Sequence, residues 1–282
     1  MGNLSIADQV KQDGLSIHRQ CFSSEEIVAI NEHIARYIEE PHPGIVREDD
    51  RKSIRGIHGP HLYDNFFRQL VADPRLLGPA EEFLGEPCYV HQFKINMKQR
   101  MKGEAWPWHQ DYIFWKNGDG IPRPNLINVA ILLNDVDMLH GPLCLIPGSH
   151  KFGDLSESSK NTGDWEQDLS KDLTYQIGHA DIDRLVRDNG VKYLTGEAGD
   201  VALFDPMVAH SSSVNLSPQD RVLLIVTYNT TSNTPRPDHN KPRPEFLSAR
   251  DFRPLHQIAN RRVTDQVIEP VFHELVGVED GN

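Results

Sequence analysis

The sequence predicts an α+β fold in which helices flank a β-sandwich or barrel core. Two observations carry that prediction. Apolar residues recur at helical spacing up to about residue 84, and from residue 87 the rhythm changes to the period of two expected of strands. Helices first and many short strands afterwards, with no internal repeat, is the pattern of an α+β unit rather than of alternating strand–helix units. The 282 residues fit a single domain of this kind. Its helical part is expected over about 20–86, its β-rich core over about 87–232 and its tail over about 233–282.

Residues 1–20 read as a lead-in with a turn at Asp13-Gly14 and a short strand at Leu15-Ser16-Ile17. Ser23-Ser24-Glu25-Glu26 is a helix start, because a Ser cap followed by Glu satisfies amides of the first turn. Ile27, Ile30, Ile34 and Tyr37 then form an apolar stripe, which Pro41 and Pro43 end. Residues 44–60 are a charged loop in which Arg55 and His58 alternate and could line a cleft. Helical patterning returns over 62–84, with Asp73-Pro74 dividing it in two.

Cys88 to Asn96 is the first long strand. Strict alternation places Tyr89, His91, Phe93 and Ile95 on one face and Val90, Gln92, Lys94 and Asn96 on the other. A polar inner face is unusual unless it lines a site. Residues 114–125, with Gly118-Asp119-Gly120 and two prolines, read as a loop, and Leu126–Leu133 as an apolar strand holding one polar residue, Asn128. A short strand and a tight turn are expected within 141–150 and strands over 201–204 and 221–228, with an inserted loop or lid over 153–175 and a short helix over 180–188. Residues 235–244 are Pro-rich and extended, and the tail from about 250 is at most partly helical.

Composition narrows the function classes. The 41 acidic against 29 basic residues give a formal charge of -12, which repels phosphate backbones and argues against a nucleic-acid partner. No apolar run approaches the length of a spanning helix, and the first residues lack the pattern of a signal peptide. Cys21, Cys88 and Cys144 are odd in number and lack CxxC spacing, so a disulfide framework is not expected and a cytoplasmic location is. No heptad or exposed apolar stripe marks a subunit interface.

The chemistry gathers around Trp106-Pro107-Trp108-His109-Gln110-Asp111-Tyr112. In an extended strand His109 and Asp111 would share a face and reach one metal ion. His210 supplies a third donor. Two imidazoles and a carboxylate on one side of a metal leave the opposite positions open, as in non-haem Fe(II) oxygenases. The aromatic residues Trp106, Trp108, Tyr112 and Trp115 would wall such a site. Ten residues lie between His210 and Arg221, room for one turn between antiparallel strands that would bring Arg221 back toward the metal. An arginine opening an apolar strand needs an anionic partner. A carboxylate ligand suits it, and a structural salt bridge with Asp220 or Glu197 is the alternative.

This combination of His109-x-Asp111, His210 and Arg221 resembles the phytanoyl-CoA dioxygenase superfamily of Fe(II)/2-oxoglutarate oxygenases. The likeness is closer to the branch of bacterial free-L-proline trans-4-hydroxylases, relatives of ectoine hydroxylase. It extends through Asp73–Pro79, Tyr89–Asn96, Trp106–Trp115, Gly141-Pro142-Leu143, Val226–Asn229 and Arg243–Leu247, most of residues 50–250 in order. The resemblance implies a double-stranded β-helix, or jelly roll, flanked by helices. It implies that His109, Asp111 and His210 hold Fe(II) and that Arg221 and Asn96 bind 2-oxoglutarate, with Gln92 facing the substrate. The implied reaction consumes O2, with ascorbate as reductant in vitro, and releases succinate and CO2 as a C–H bond is hydroxylated. No catalytic residue beyond the metal ligands is implied.

A free amino acid as the small-molecule substrate requires a cation for its carboxylate. Arg123, after the Gly118–Pro122 stretch, is the first choice and Lys94 its competitor, with Trp115 packing against the ring. Pipecolate or an ectoine-like compound would use the same chemistry. A metal-dependent sensor without turnover is the reading from another class, and a complete donor set beside Arg221 argues against it.

Overall fold

The computed structural model describes residues 4–48, 50–158, 165–236, 243–258 and 263. The chain begins with α1 (Ile6–Asp13), capped by the Ser5 side chain and ended by Gly14 in the left-handed region at φ 79°. The Asp13-Gly14 pair therefore closes a helix that periodicity alone did not reveal. After β1 (Leu15–His18), α2 (Ser24–Tyr37) starts from a full capping box between Ser23 and Glu26. Then come β2 (Ile45–Arg47), β3 (Ile54–His58), α3 (Pro60–Tyr63), α4 (Asn65–Leu70) and α5 (Pro74–Leu84). Asp73 caps α5, as the Asp-Pro break predicted.

The long strand is β4 (Cys88–Lys98), followed by β5 (Trp106–His109), α6 (Tyr112–Asp119) and β6 (Leu126–Leu132). Residues 112–119 are thus helical where a loop was expected, and Gly120 ends the helix at φ 74°. The rest comprises β7 (Leu143–Leu145), β8 (Ser156–Ser158), β9 (Tyr175–Ile177), α7 (His179–Asn189), β10 (Lys192–Tyr193), β11 (Val201–Phe204), β12 (His210–Ser212) and β13 (Arg221–Thr230). The expected Pro-rich segment and tail lie largely outside the described residues.

Among the described residues the strands form a major sheet in the order β1-β11-β6-β13-β4-β3-β2 and a minor sheet in the order β10-β7-β12-β5, with β8 and β9 paired separately. The strand pairs are antiparallel. This is the jelly-roll arrangement, with helices on the outer face of the major sheet. Three strands of the major sheet come from the first 58 residues, a stretch where helices dominated the sequence pattern. β12 and β13 do not form the expected hairpin. The chain between His210 and Arg221 crosses from the minor sheet to the major one, so each strand pairs with other neighbours.

A large core fills the space between the helices and the major sheet. Ile27, Ile30 and Ile34 of α2 meet Leu76, Leu77 and Ala80 of α5 and the outward residues of β4, β6 and β13. Arg75 ties these helices together, donating to both oxygens of Glu26 at 2.9 Å and to Asp73 while lying over the Phe22 ring. A smaller core, including Ala130, Leu145, Val208, Leu223 and Ile225, joins the two sheets and forms the floor of the site.

The register of β4 corrects the alternation read from its sequence. Thr227 pairs with Gln92 but Tyr228 pairs with Val90, so His91 is an extra residue in a β-bulge. Beyond the bulge the parity changes. Val90 joins Phe93 and Ile95 in the large core rather than sharing a face with Gln92, Lys94 and Asn96.

Candidate active site

His109 ends β5 and His210 begins β12, and the two are cross-strand partners with ring centroids 4.1 Å apart. Asp111 does not share a strand face with His109. The strand stops at His109, and Asp111 sits at the start of α6 with helical torsions, φ -69° and ψ -37°. Gln110 makes the turn possible. Its buried amide donates to the carbonyls of Met207 and Gly153 and accepts from the Leu155 amide, pinning the chain where it leaves the sheet.

The turn brings one carboxylate oxygen, Asp111 Oδ1, to 3.8 Å from the Nε2 of each histidine. Donor atoms of the three residues all lie within 4.8 Å of one another, and all three residues are buried. The histidines present the correct nitrogen. His109 Nδ1 lies 2.8 Å from the Pro107 carbonyl and His210 Nδ1 lies 2.9 Å from that of Val208, so each Nδ1–H donates to backbone and each Nε2 lone pair faces Asp111. Asp111 Oδ2 accepts from Asn128 Nδ2 at 2.8 Å, and Asn128 Oδ1 accepts from the Thr227 hydroxyl at 2.7 Å.

The charge states suit a cation. Burial, then neighbouring His210, pushes His109 down to about 3, and burial also lowers His210. Burial works against the Asp111 carboxylate, but Lys94, the two histidines and the Asn128 hydrogen bond outweigh it and hold Asp111 at about 2. Two neutral imidazoles and an anionic carboxylate form a donor set that fits Fe(II) and leaves open positions toward the cavity.

That cavity lies between the sheets. Gln92, Lys94, Asn96 and Lys98 line it from β4, Arg221, Leu223 and Ile225 from β13, and Trp115 from α6. Lys94 Nζ is 3.7 Å from Asp111 Oδ1. Gln92 is buried and donates to the Leu247 carbonyl at 3.0 Å. Trp115 is both core and wall, packing with Tyr112, Ile121 and Leu126 and meeting the His91 ring edge-on while bordering the cavity. Arg55 also borders it but is paired with Glu48 and Glu104, and His58 lines it as expected. The described part of the 153–175 insertion reaches the rim through Asp168, Leu169, Lys171 and Leu173.

Arg221 is buried and its Nε has no hydrogen-bond partner. Neither alternative partner engages it, because Asp220 pairs with Arg100 and Glu197 lies beside Gln20. Burial lowers the Arg221 guanidinium to about 10. An orphaned donor on a buried cation, open to the same cavity as the three metal donors, fits the distal carboxylate of a 2-oxo diacid.

Arg123 is not in the cavity. Its side chain is exposed and donates to the carbonyl and hydroxyl of Ser232. Its place near the motif in sequence misled, because α6 turns the chain away from the iron ligands before Arg123 is reached. The cation missed by local reading is Arg243, which returns from far downstream. It lines the cavity and makes a two-pronged bond to Asp119, at 2.7 Å from Nε and 2.6 Å from its second nitrogen, while His91 lies 3.1 Å from the same carboxylate. Only its position within Arg243-Pro244-Glu245-Phe246-Leu247 marked it in the sequence.

The chain is similar to known proteins of one enzyme family. The phytanoyl-CoA dioxygenase (PhyH) family matches residues 10–223. An L-proline trans-4-hydroxylase from Streptomyces griseoviridis is 40% identical over 237 residues, covering 83% of this chain and 87% of the relative. An ectoine dioxygenase from Bordetella bronchiseptica is 32% identical, covering 89% and 86%. Among solved structures, EctD from S. alaskensis with 2-oxoglutarate and 5-hydroxyectoine superposes with a TM-score of 0.77 at 27% identity, covering 91% of this chain and 87% of that one. EctD with bound Fe gives 0.74 at 29% identity, covering 89% and 85%. The candidate facial triad, the jelly roll and these relatives lead to one conclusion: the chain belongs to the phytanoyl-CoA dioxygenase family of enzymes that use iron and 2-oxoglutarate.

Proposed function

We propose that this enzyme hydroxylates free L-proline, forming trans-4-hydroxy-L-proline as 2-oxoglutarate is converted to succinate and CO2, within a single catalytic domain. The observation that carries the reading is a cavity wall that sets the Lys94 ammonium against aromatic rings, Trp115 and Phe114, beside the three metal donors. A small zwitterion with an apolar ring needs that pairing of charge and flat apolar surface. The 40% identity to an L-proline trans-4-hydroxylase supports proline in particular.

In this reading His109, Asp111 and His210 hold the iron, which supplies the oxidising power when O2 and 2-oxoglutarate are bound. Arg221 receives the distal carboxylate of 2-oxoglutarate, and Asn96 borders the same cosubstrate. Lys94 takes the substrate carboxylate. Its contact with Asp111 neutralises it while the metal donors are free, and a cation held by Asp111 would leave the ammonium available to another anion. Gln92 and Trp115 border the substrate, with Gln92 held by the Leu247 carbonyl. Which C–H is oxidised depends on positioning, which these groups control. Free Cys21, Cys88 and Cys144 suit a reducing, cytoplasmic setting.

The test is a substrate panel. Purified protein with Fe(II), ascorbate and 2-oxoglutarate is given L-proline, L-pipecolate or ectoine, and succinate, product mass and product stereochemistry are measured. Proline-dependent succinate with a trans-4-hydroxyl product supports the reading, and no proline-dependent succinate overturns it. A second reading, hydroxylation of an ectoine-like ring, is favoured by the likeness to EctD, and turnover of ectoine in place of proline would establish it.

A further inference from the structure

Among the described residues, four carboxylates border the cavity: Glu48, Glu104, Asp111 and Asp168. Three of them are committed. Glu48 and Glu104 are paired with Arg55, Glu104 also with Lys171, and Asp111 belongs to the metal donors. Asp168 is half-buried and forms no ion pair among the described residues, and its Oδ1 accepts from the Thr174 amide at 2.8 Å. Its charge is felt inside the cavity. Burial lowers the Arg243 guanidinium, but Asp119 outweighs burial, and Asp168 and then Asp111 add to the rise. Asp168 therefore acts on the same side of the cavity as the metal donors.

The segment that carries Asp168 is fastened at several points. The residue lies in a short 3-10 turn, Gln167–Leu169, within the 153–175 insertion. Arg55 Nη1 of β3 donates to the Leu169 carbonyl at 3.4 Å, and Lys171 Nζ donates to Glu104 between β4 and β5 at 2.6 Å. Leu173 is buried with Ile113 and Phe114 of α6, and Tyr175 of β9 meets the Phe114 ring edge-on with centroids 5.4 Å apart. These contacts set the carboxylate over the site instead of leaving it on a solvated loop. The strands opposite offer nothing of its sign. The residues that β4 and β13 present to the cavity include Lys94, Lys98 and Arg221 and no acid.

We propose that Asp168 accepts the ammonium of the amino-acid substrate whose carboxylate Lys94 takes, so that the inserted segment selects for a free amine. The inference rests on the reading of the substrate as a small zwitterion, proline above all. A secondary ammonium carries two N–H donors, and a buried cation without an anionic or carbonyl acceptor is costly. A carboxylate supplies both the acceptor and the opposite charge. The two charged ends of the substrate would then be read by different parts of the fold, the carboxylate by the sheet and the amine by the insertion.

The experiment compares L-proline with tetrahydrofuran-2-carboxylate, which has an ether oxygen in place of the amine, on wild type and Asp168→Asn. Binding to the protein loaded with Fe(II) and 2-oxoglutarate is measured by anaerobic calorimetry, and kcat and KM for proline are measured in air. Asn keeps an acceptor for the Thr174 amide and removes the charge, so the variant should melt like wild type. Its proline affinity should fall about 10–100-fold, the scale of a hydrogen bond to a charged group, with the loss falling mainly on KM. Affinity for the ether and for 2-oxoglutarate should not fall, because neither offers an N–H. A loss shared by proline, the ether and 2-oxoglutarate, or a lower melting temperature with it, would mean that Asp168 only braces the insertion and overturns the proposal. Proline affinity within about twofold of wild type overturns it too, while leaving the proline reading in place. If wild type binds L-pipecolate or ectoine instead of proline, the proline reading falls and the effect of Asp168→Asn on that compound decides the role of Asp168. If wild type binds none of the three, both fall.

Discussion

Asn128 donates from Nδ2 to Asp111 Oδ2 at 2.8 Å, and this bond decides which oxygen of the carboxylate turns toward His109 and His210. Asn128 is the single polar residue in the otherwise apolar β6, and Thr227 on β13 holds its other end. Asn128→Ala should weaken metal affinity by about 10–100-fold, the usual effect of losing a group that orients a ligand. Metal titration followed by competition with a chelator measures it, and unchanged affinity would show that Asp111 is oriented by the backbone alone.

Asp111→Ala should abolish succinate release with every substrate in the panel while leaving the fold intact. Circular dichroism separates this from unfolding. Turnover like wild type in this variant would remove the candidate triad from consideration.

Asp119 sits at the end of α6 with no exposed side-chain surface, held by Arg243 and His91. Burial opposes its charge, but Arg243 and His91 outweigh burial and keep it well below the ordinary carboxylate value of 3.8. A depressed carboxylate contributes stability that is present above its unfolded value and lost as the pH falls toward its folded one. That loss should appear in acid, below about pH 4. Asp119→Asn should cost about 3–5 kcal/mol by leaving Arg243 buried without its partner, and urea unfolding checks both the cost and its pH dependence.

Lys98 is shifted in the same direction, by burial and then Arg221, so its effect has the same sign but falls in a different pH window. The unfolded chain binds its proton up to about 10.5, whereas the ligand-free fold releases it above about 6. Between those values the unfolded state holds more protons, so the ligand-free protein should gain stability as the pH rises. Unfolding curves at two pH values inside the window test this, and Lys98→Met should flatten the difference.

Lys94→Met should raise the KM for the amino-acid substrate. Arg123→Ala should leave it within about twofold, because the Arg123 guanidinium is exposed and spent on Ser232. A large effect of Arg123→Ala on KM would mean that the 122–124 segment folds over the cavity in the working enzyme.

The sequence disclosed the chemistry better than the path of the backbone. His109, Asp111 and His210 stood out as candidate donors through the aromatics around the triplet, the place of Arg221 and the family resemblance, and they meet in the fold. The reason given for their meeting was only partly right. A strand pattern cannot show that Gln110 pins a turn through carbonyls as distant as Met207, so Asp111 reaches the metal position from a helix start. Arg221 was legible because an arginine is costly at the head of an apolar strand, but its crossover between sheets has the same sequence length as a hairpin. Arg123 and Arg243 show the limit most clearly. Proximity along the chain favoured the first, and only the packed fold brings the second beside Asp119. The helix at 6–13 and the one at 112–119 were obscured for a common reason. Each ends in a glycine, Gly14 or Gly120, that reads equally well as a turn signal and as a left-handed helix cap.

The bulge at His91 gives β4 an unusual kind of sensitivity. On either side of the extra residue the same strand obeys opposite even–odd rules, with Val90 and Phe93 both facing the large core although an even number and an odd one. Removing one residue there would restore uniform alternation and could satisfy only one of the two halves. Either Val90 would turn out of the core, or Phe93 and Ile95 would be driven into the cavity while Lys94 and Lys98 were forced under the helices. The segment should therefore accept many replacements of side chain and almost no change of length, and relatives that bind different small molecules on this face would be expected to vary its letters while keeping its count.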